Sequence, residues 1–302
     1  VSNKDRWIIP LSEIPGNIAI HEYILKFTDL KKQIEKFRNF NTNGFRKERI
    51  DLDFKKLSES VIEGVAKFGL HQFQYGNYSL AEDGPYVSCS LTWNPAAHDK
   101  ISSDPHLATL GSTMLEGNSA SFYNEDKNEK ISYRNSYHDT YSFIERTPIS
   151  NVLPIKEFLD SFNRTLVRSR ISTIKAGRAE ATRFNFCWHN DEQVFLNLRV
   201  NIPIQTTSNY SIQILRNTSN DQLQIDEFSM DPGHAYVYDS GKNHRPFCNK
   251  LDTVDRIHMI CGVSPWFDFD KENQCWRSNK FYGEVHPFEM FSLGLICSQI
   301  MK

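Results

Sequence analysis

Between Arg183 and Gly262 the chain repeatedly alternates short apolar-patterned runs with turn residues, and this succession constrains the fold more than any other feature. The runs are Leu196–Ile204 (LNLRVNIPI), Tyr210–Arg216 (YSIQILR), Gly233–Asp239 (GHAYVYD) and Val254–Val263 (VDRIHMICGV). Each has the period-two alternation and β-branched or aromatic content of a half-buried strand. Strands in this order, joined by turns and returning on themselves, suit a double-stranded β-helix of the jelly-roll or cupin-like type. Such a barrel brings distant segments together at its open end. The expected class is therefore α+β and β-rich, with helices flanking a barrel.

Donor residues stand at two places along this succession. His189-Asn190-Asp191 puts an imidazole and a carboxylate two residues apart, so on an extended strand both point to one face. His244, after the Gly233–Asp239 run, is the candidate third donor. Two histidines and one carboxylate on one face of an octahedron leave positions open, the arrangement of non-haem Fe(II) oxygenases. Three protein donors also occur in zinc hydrolases with one open tetrahedral position, and the residue types fit both metals.

The residues around these donors carry a family resemblance. Gly233-HAYVY-Asp239-Ser240-GKN-His244, Arg199-Val-Asn-Ile-Pro203, Ser172-Thr173-Ile-Lys-Ala-Gly177 and Arg256-Ile-His258 resemble four elements of the aspartyl/asparaginyl β-hydroxylase family. These are Fe(II)/2-oxoglutarate-dependent dioxygenases, and the resemblance covers about a third of the chain, from about Ile171 to Val263. It implies iron at His189, Asp191 and His244, with 2-oxoglutarate and O2 as cosubstrates. It also implies that Arg256 pairs with the distal carboxylate of 2-oxoglutarate, helped by Ser172 and Arg199. A guanidinium suits that task because it forms a bidentate, charge-assisted pair. Asp191 favours hydroxylation over halogenation, because a carboxylate fills the position that some halogenases leave for halide.

Other roles follow from position alone. Arg183, Asn185, Trp188 and Arg245 flank the donors and are candidate substrate contacts. A cationic pair there points to a carboxylate-bearing amino acid or a peptide side chain. Asp239, Asn249 and His258 are candidates to support the ligands from behind or to fix turns. His98-Asp99, Asp104-Pro-His106 and His138-Asp139 read as exposed loop pairs rather than metal sites.

Net charge bounds the partners. With 35 Lys and Arg against 37 Asp and Glu, the balance of −2 gives no electrostatic case for nucleic acid or an anionic membrane. The six cysteines are scattered without a C-x-x-C pair, as reduced thiols in a cytoplasmic protein would be. No apolar run approaches a membrane span.

Three segments are expected to form one unit: an N-terminal helical and loop region (1–150), the barrel (151–268) and a C-terminal extension (269–302). Helices are expected at 29–40, 53–68, 154–169 and from Pro287 to the end, with a strand from Tyr86 to Trp93. Residues 94–136, rich in Ser, Asn, Asp and Gly, read as a lid or binding loop. Residues 266–276 read as a turn region. Two other functions compete with an oxygenase: a cupin-like metal enzyme that does not use 2-oxoglutarate, and a non-catalytic barrel that captures a ligand.

Overall fold

The computed structural model describes residues 7–16, 18–72, 86–95, 123–124, 129–130, 139–176, 188–217, 223–248 and 252–301. The N-terminal part supplies β1 (Ile8–Pro10), β2 (Phe45–Ile50), β3 (His71–Gln72), β4 (Tyr86–Ser90) and the short β5 (Thr92–Trp93), β6 (Tyr123–Asn124), β7 (Glu129–Lys130) and β8 (Glu145–Arg146). Then come β9 (Arg170–Ile174), β10 (Leu198–Gln205), β11 (Tyr210–Asn217), β12 (Leu223–Phe228), β13 (His234–Tyr238), β14 (His244–Cys248) and β15 (Arg256–Val263). A hairpin of β16 (Phe267–Asp270) and β17 (Cys275–Ser278) follows, and β18 (Ile300–Met301) ends the chain.

Alternation along the strands decides which way each residue faces. In β10, Leu198, Val200, Ile202 and Ile204 enter the main apolar core, so Arg199, Asn201 and Pro203 face the other way. In β15, Ile257, Met259, Cys261 and Val263 enter the core, and Arg256, His258, Ile260 and Gly262 turn from it. Ile171 of β9 does the same, leaving Arg170 and Ser172 on the opposite face.

All pairing is antiparallel, and two of the five sheets among the described residues build the barrel. The large one runs β18-β2-β13-β10-β15-β9-β4-β3, and the small one β12-β11-β14. An isolated bridge between His189 and His244 adds a fourth position beyond β14. From β9 onward the chain crosses between the sheets, apart from the β11–β12 hairpin within the small one, so β13-β10-β15-β9 faces β12-β11-β14 and the His189 segment. That is a double-stranded β-helix. The sheets meet through Ile212, Ile214, Met230, Tyr236 and Tyr238, and again through Ile174, Tyr210 and Cys248. Strands from residues before 151 and after 268 extend the large sheet on both sides.

The outer face of the large sheet is closed by helices. Asp53 accepts the Lys56 amide at 3.2 Å and starts the Phe54–Phe68 helix; Gly69, at φ 87°, ends it. Its Leu57, Val61 and Val65 join the core, each contributing on the order of 2 kcal/mol by burial.

Several elements differ from the expectations. The helix expected at 29–40 is regular only over Leu30–Glu35. Asp29 does not cap it, because its carboxylate accepts from Trp7 Nε1 at 2.9 Å, Tyr282 Oη at 2.8 Å and Gln33 Nε2 at 2.6 Å. The helix expected over 154–169 stops at Asp160. Beyond it Leu166 bridges Val263, and the Val167 amide donates to Gly262 O at 2.8 Å, so sheet pairing overrides the helical spacing. The Pro287 helix ends at Ser292, where Gly294 at φ 69° turns the chain back and β18 pairs with β2. Residues 266–276 form a hairpin rather than a plain turn. The Ile20–Phe27 helix had no sequence expectation. Most of the 94–136 loop, with His98 and His106, lies outside the described residues, as does His138.

Candidate active site

His189 and Asp191 precede β10, and His244 begins β14. The bridge fixes their approach: the His189 amide donates to His244 O at 3.1 Å, and the His244 amide to His189 O at 2.8 Å. Asp191 is tied to the same turn by its amide, 2.8 Å from Ser240 O. The donor atoms of the three side chains consequently lie within 4.8 Å of one another. His189 Nε2 is 4.0 Å and His244 Nε2 3.5 Å from Asp191 Oδ2.

These groups fit a divalent ion. His244 Nδ1 lies 2.9 Å from Lys242 O and donates to it, which leaves the Nε2 lone pair directed at the site. Burial would raise the Asp191 carboxyl, but Arg199 and the two imidazoles hold it well below the usual carboxylate range. Asp191 is therefore an anion, and the site offers a metal one carboxylate and two imidazoles.

Behind Asp191 stands a group that the sequence did not reveal. Arg199 hydrogen-bonds Asp191 through Nη1 and reaches Glu192 Oε2 at 3.0 Å through Nη2. Glu192 also accepts from Thr140 and lies 3.4 Å from Arg168. Burial would push Glu192 up, yet Arg199 and Arg168 bring it down to about 2. Arg168 itself is lowered to about 10 by burial. The expected role of Arg199 at 2-oxoglutarate gives way here to contacts with two consecutive carboxylates. No sequence signal singled out Glu192, because its partners come from residues 140, 168 and 199.

Farther along the inner face lies a second polar group. Arg256, 5% exposed, donates from Nη2 to His258 Nδ1 at 3.1 Å. That bond places the imidazole proton on Nε2, which is buried with no acceptor. Ser172 and Ser88 are in register beside it across β9 and β4, and neither hydroxyl has a hydrogen-bond partner. Burial, then the neighbouring Arg256, holds His258 far below its ordinary value and keeps it neutral. Tyr210, in the cluster with Ile174 and Cys248, was not anticipated; burial takes its hydroxyl up to about 12 against the pull of Arg256. Asp252 and Asp255 serve other partners: Asn209 at 3.0 Å and Lys175 at 2.8 Å.

The remaining expectations fall elsewhere. Arg245 alternates with His244 and Trp188 with His189, so both point to the outer face of the small sheet, away from the donors. There the Arg245 guanidinium packs 4.4 Å from the Trp188 ring centroid and donates to Gln213 at 2.9 Å. They stabilise that face rather than line the donor cluster. Asp239 accepts from Thr42 at 2.9 Å and holds the turn before His244. Arg183, Asn185 and Asn249 lie outside the described residues.

No protein-family model matches the chain, and no curated protein does. Solved structures do resemble it. The non-heme alpha ketoglutarate dependent epimerase SnoN from nogalamycin biosynthesis aligns over 78% of this chain and 81% of its own, with 8% identity and a TM-score of 0.39. A Pseudomonas putida prolyl-4-hydroxylase covers 78% of this chain and 99% of its own, with 10% identity and a TM-score of 0.35. A Trichoplax adhaerens prolyl hydroxylase, in complex with a hypoxia inducible factor peptide fragment, covers 82% and 92%, with 12% identity and a TM-score of 0.35. At such scores the likeness carries no weight of its own, and the fold rests on strand order. No helix among the described residues is long and apolar enough to cross a membrane.

Proposed function

We propose that this protein is an Fe(II)- and 2-oxoglutarate-dependent oxygenase that hydroxylates an unactivated C–H bond of an amino acid or peptidyl residue. The observation that carries the reading is the convergence of His189, Asp191 and His244 within 4.8 Å at one end of the barrel. The inner face then supplies a buried Arg256–His258 pair and orphaned hydroxyls. A metal triad alone would suit a hydrolase; the buried cationic and hydroxyl groups along the same face suit a dicarboxylate cosubstrate.

In this reading His189, Asp191 and His244 hold the metal, and Arg199 orients the Asp191 carboxylate. Arg256, with Ser172 and the His258 Nε2–H, binds the distal carboxylate of 2-oxoglutarate by charge-assisted hydrogen bonds. When bound, iron and its keto-acid cosubstrate supply the oxidising chemistry, consuming O2 and releasing succinate and CO2. The aspartyl/asparaginyl branch is supported by the residue motifs alone.

The test is anaerobic addition of Fe(II) and 2-oxoglutarate. A weak visible charge-transfer band near ~500 nm is expected for a keto acid chelating Fe(II), and His244→Ala should abolish it. Its absence from the unmodified chain would leave a metal-binding barrel of another kind.

A further inference from the structure

Arg170 is a charge that the reading above does not use. It sits in β9 opposite Ser90 of β4 and Ile260 of β15, on the inner face, with Ile171 turned into the core beside it. Its residue is only 9% exposed and its Nε is buried without a hydrogen-bond partner. Among the described residues no carboxylate pairs with it, whereas Arg168 faces Glu192 and Arg199 faces both Asp191 and Glu192. A buried cation without a counter-ion is costly, so buried charges are normally paired.

Its place along the barrel decides what it can meet. Ile260 is partly exposed, although Met259 and Cys261 on the other face are at 0%, so the inner face beside Arg170 opens to solvent. By register Ile260 lies opposite Asn201, two residues along β10 from Arg199, which holds Asp191. Arg256 is four residues away along β15, about 13 Å of strand. One molecule of 2-oxoglutarate held by Arg256 leaves Arg170 unmatched.

We propose that Arg170 anchors a carboxylate of the primary substrate, so that the oxidised molecule is an organic acid bearing a free carboxylate. This rests on the oxygenase reading and narrows its substrate class. It also predicts an unusual stability effect. Replacing a structural arginine destabilises a fold, but removing a buried charge that no carboxylate among the described residues pairs with does not, and methionine keeps the length of the side chain.

The experiment uses the full chain, loaded anaerobically with Fe(II) and 2-oxoglutarate, and titrated with matched N-acetyl amino acids and their C-terminal amides. The acids should shift the visible band and the amides should not. Arg170→Met should weaken binding of the acids at least ~30-fold, leave the 2-oxoglutarate titration unchanged, and keep or raise the melting temperature. Arg170→Lys should retain part of the discrimination. Acids and amides acting alike, or neither acting, overturns the proposal. So does a loss of 2-oxoglutarate affinity or of stability in Arg170→Met. If the band never forms, the oxygenase reading fails separately. Calorimetry of the same acid and amide pairs on the metal-free chain then decides the anion site by the same criterion.

Discussion

His189 and His244 exchange both backbone hydrogen bonds of an antiparallel bridge, at 3.1 and 2.8 Å, and their rings lie 4.4 Å apart. Residues paired in this way present side chains to the same face. The bridge makes the two imidazoles one unit, and Asp191 completes it from two residues away. Substituting any of the three by alanine should therefore abolish metal-dependent 2-oxoglutarate turnover, while His106→Ala should retain it. Succinate release is the measurement, and full activity in His244→Ala would remove it from the ligand set.

The Glu192 carboxylate meets that unit through Arg199. Glu192→Gln removes the charge that holds the guanidinium in place, and a loss of about 10–100-fold in metal affinity or activity is expected. Arg199→Met should be worse for the fold, because it leaves Asp191 without its cation and Glu192 with Arg168 alone, costing about 3–5 kcal/mol. Urea unfolding of the metal-free chain separates the two effects.

Gly262 is required by close packing. A Cβ there would stand 2.1 Å from Val167 O and 2.8 Å from Asn197 Oδ1. The nearer atom is backbone, held beside Gly262 by the Val167 amide bond to Gly262 O at 2.8 Å. Gly262→Ala should cost about 2 kcal/mol or more, read as a lower denaturation midpoint with an unchanged slope.

His286 links stability to pH. Its Nδ1 accepts the Phe288 amide at 3.1 Å, capping the last helix, and its ring stacks on Phe40 at 3.7 Å. Burial, with a smaller push from Arg46, lowers its pKa from 6.5 to about 4. The unfolded chain therefore binds the proton first, and stability is lost as pH falls from about 6.5 towards 4. His286→Asn, which keeps a capping acceptor without a titrating ring, should flatten that part of the melting-temperature profile. An equally steep profile in the variant would exclude His286 as the source.

Period-two patterning made β10, β11, β13 and β15 legible in the sequence, because alternation is a local property and a strand carries it wherever it pairs. The Phe54–Phe68 helix was legible for the same reason, with Asp53 and Gly69 marking its ends. His189, Asp191 and His244 could be picked out as donors from spacing and strand order.

What one-dimensional pattern could not carry was partner choice. Residues 161–169 have helical spacing, yet Gly262 draws Val167 into the sheet. Trp188 and Arg245 adjoin the donors in sequence, but a pleated strand sends neighbours to opposite faces, and they pack on each other. Glu192, Tyr210 and Arg170 acquired significance only when separate strands closed the barrel around them. The sequence alone determined those four strands and offered the donor residues. Tertiary structure decided which charges are paired and which, among the described residues, has no partner, because neutralisation in a buried site depends on distances between residues remote in the chain.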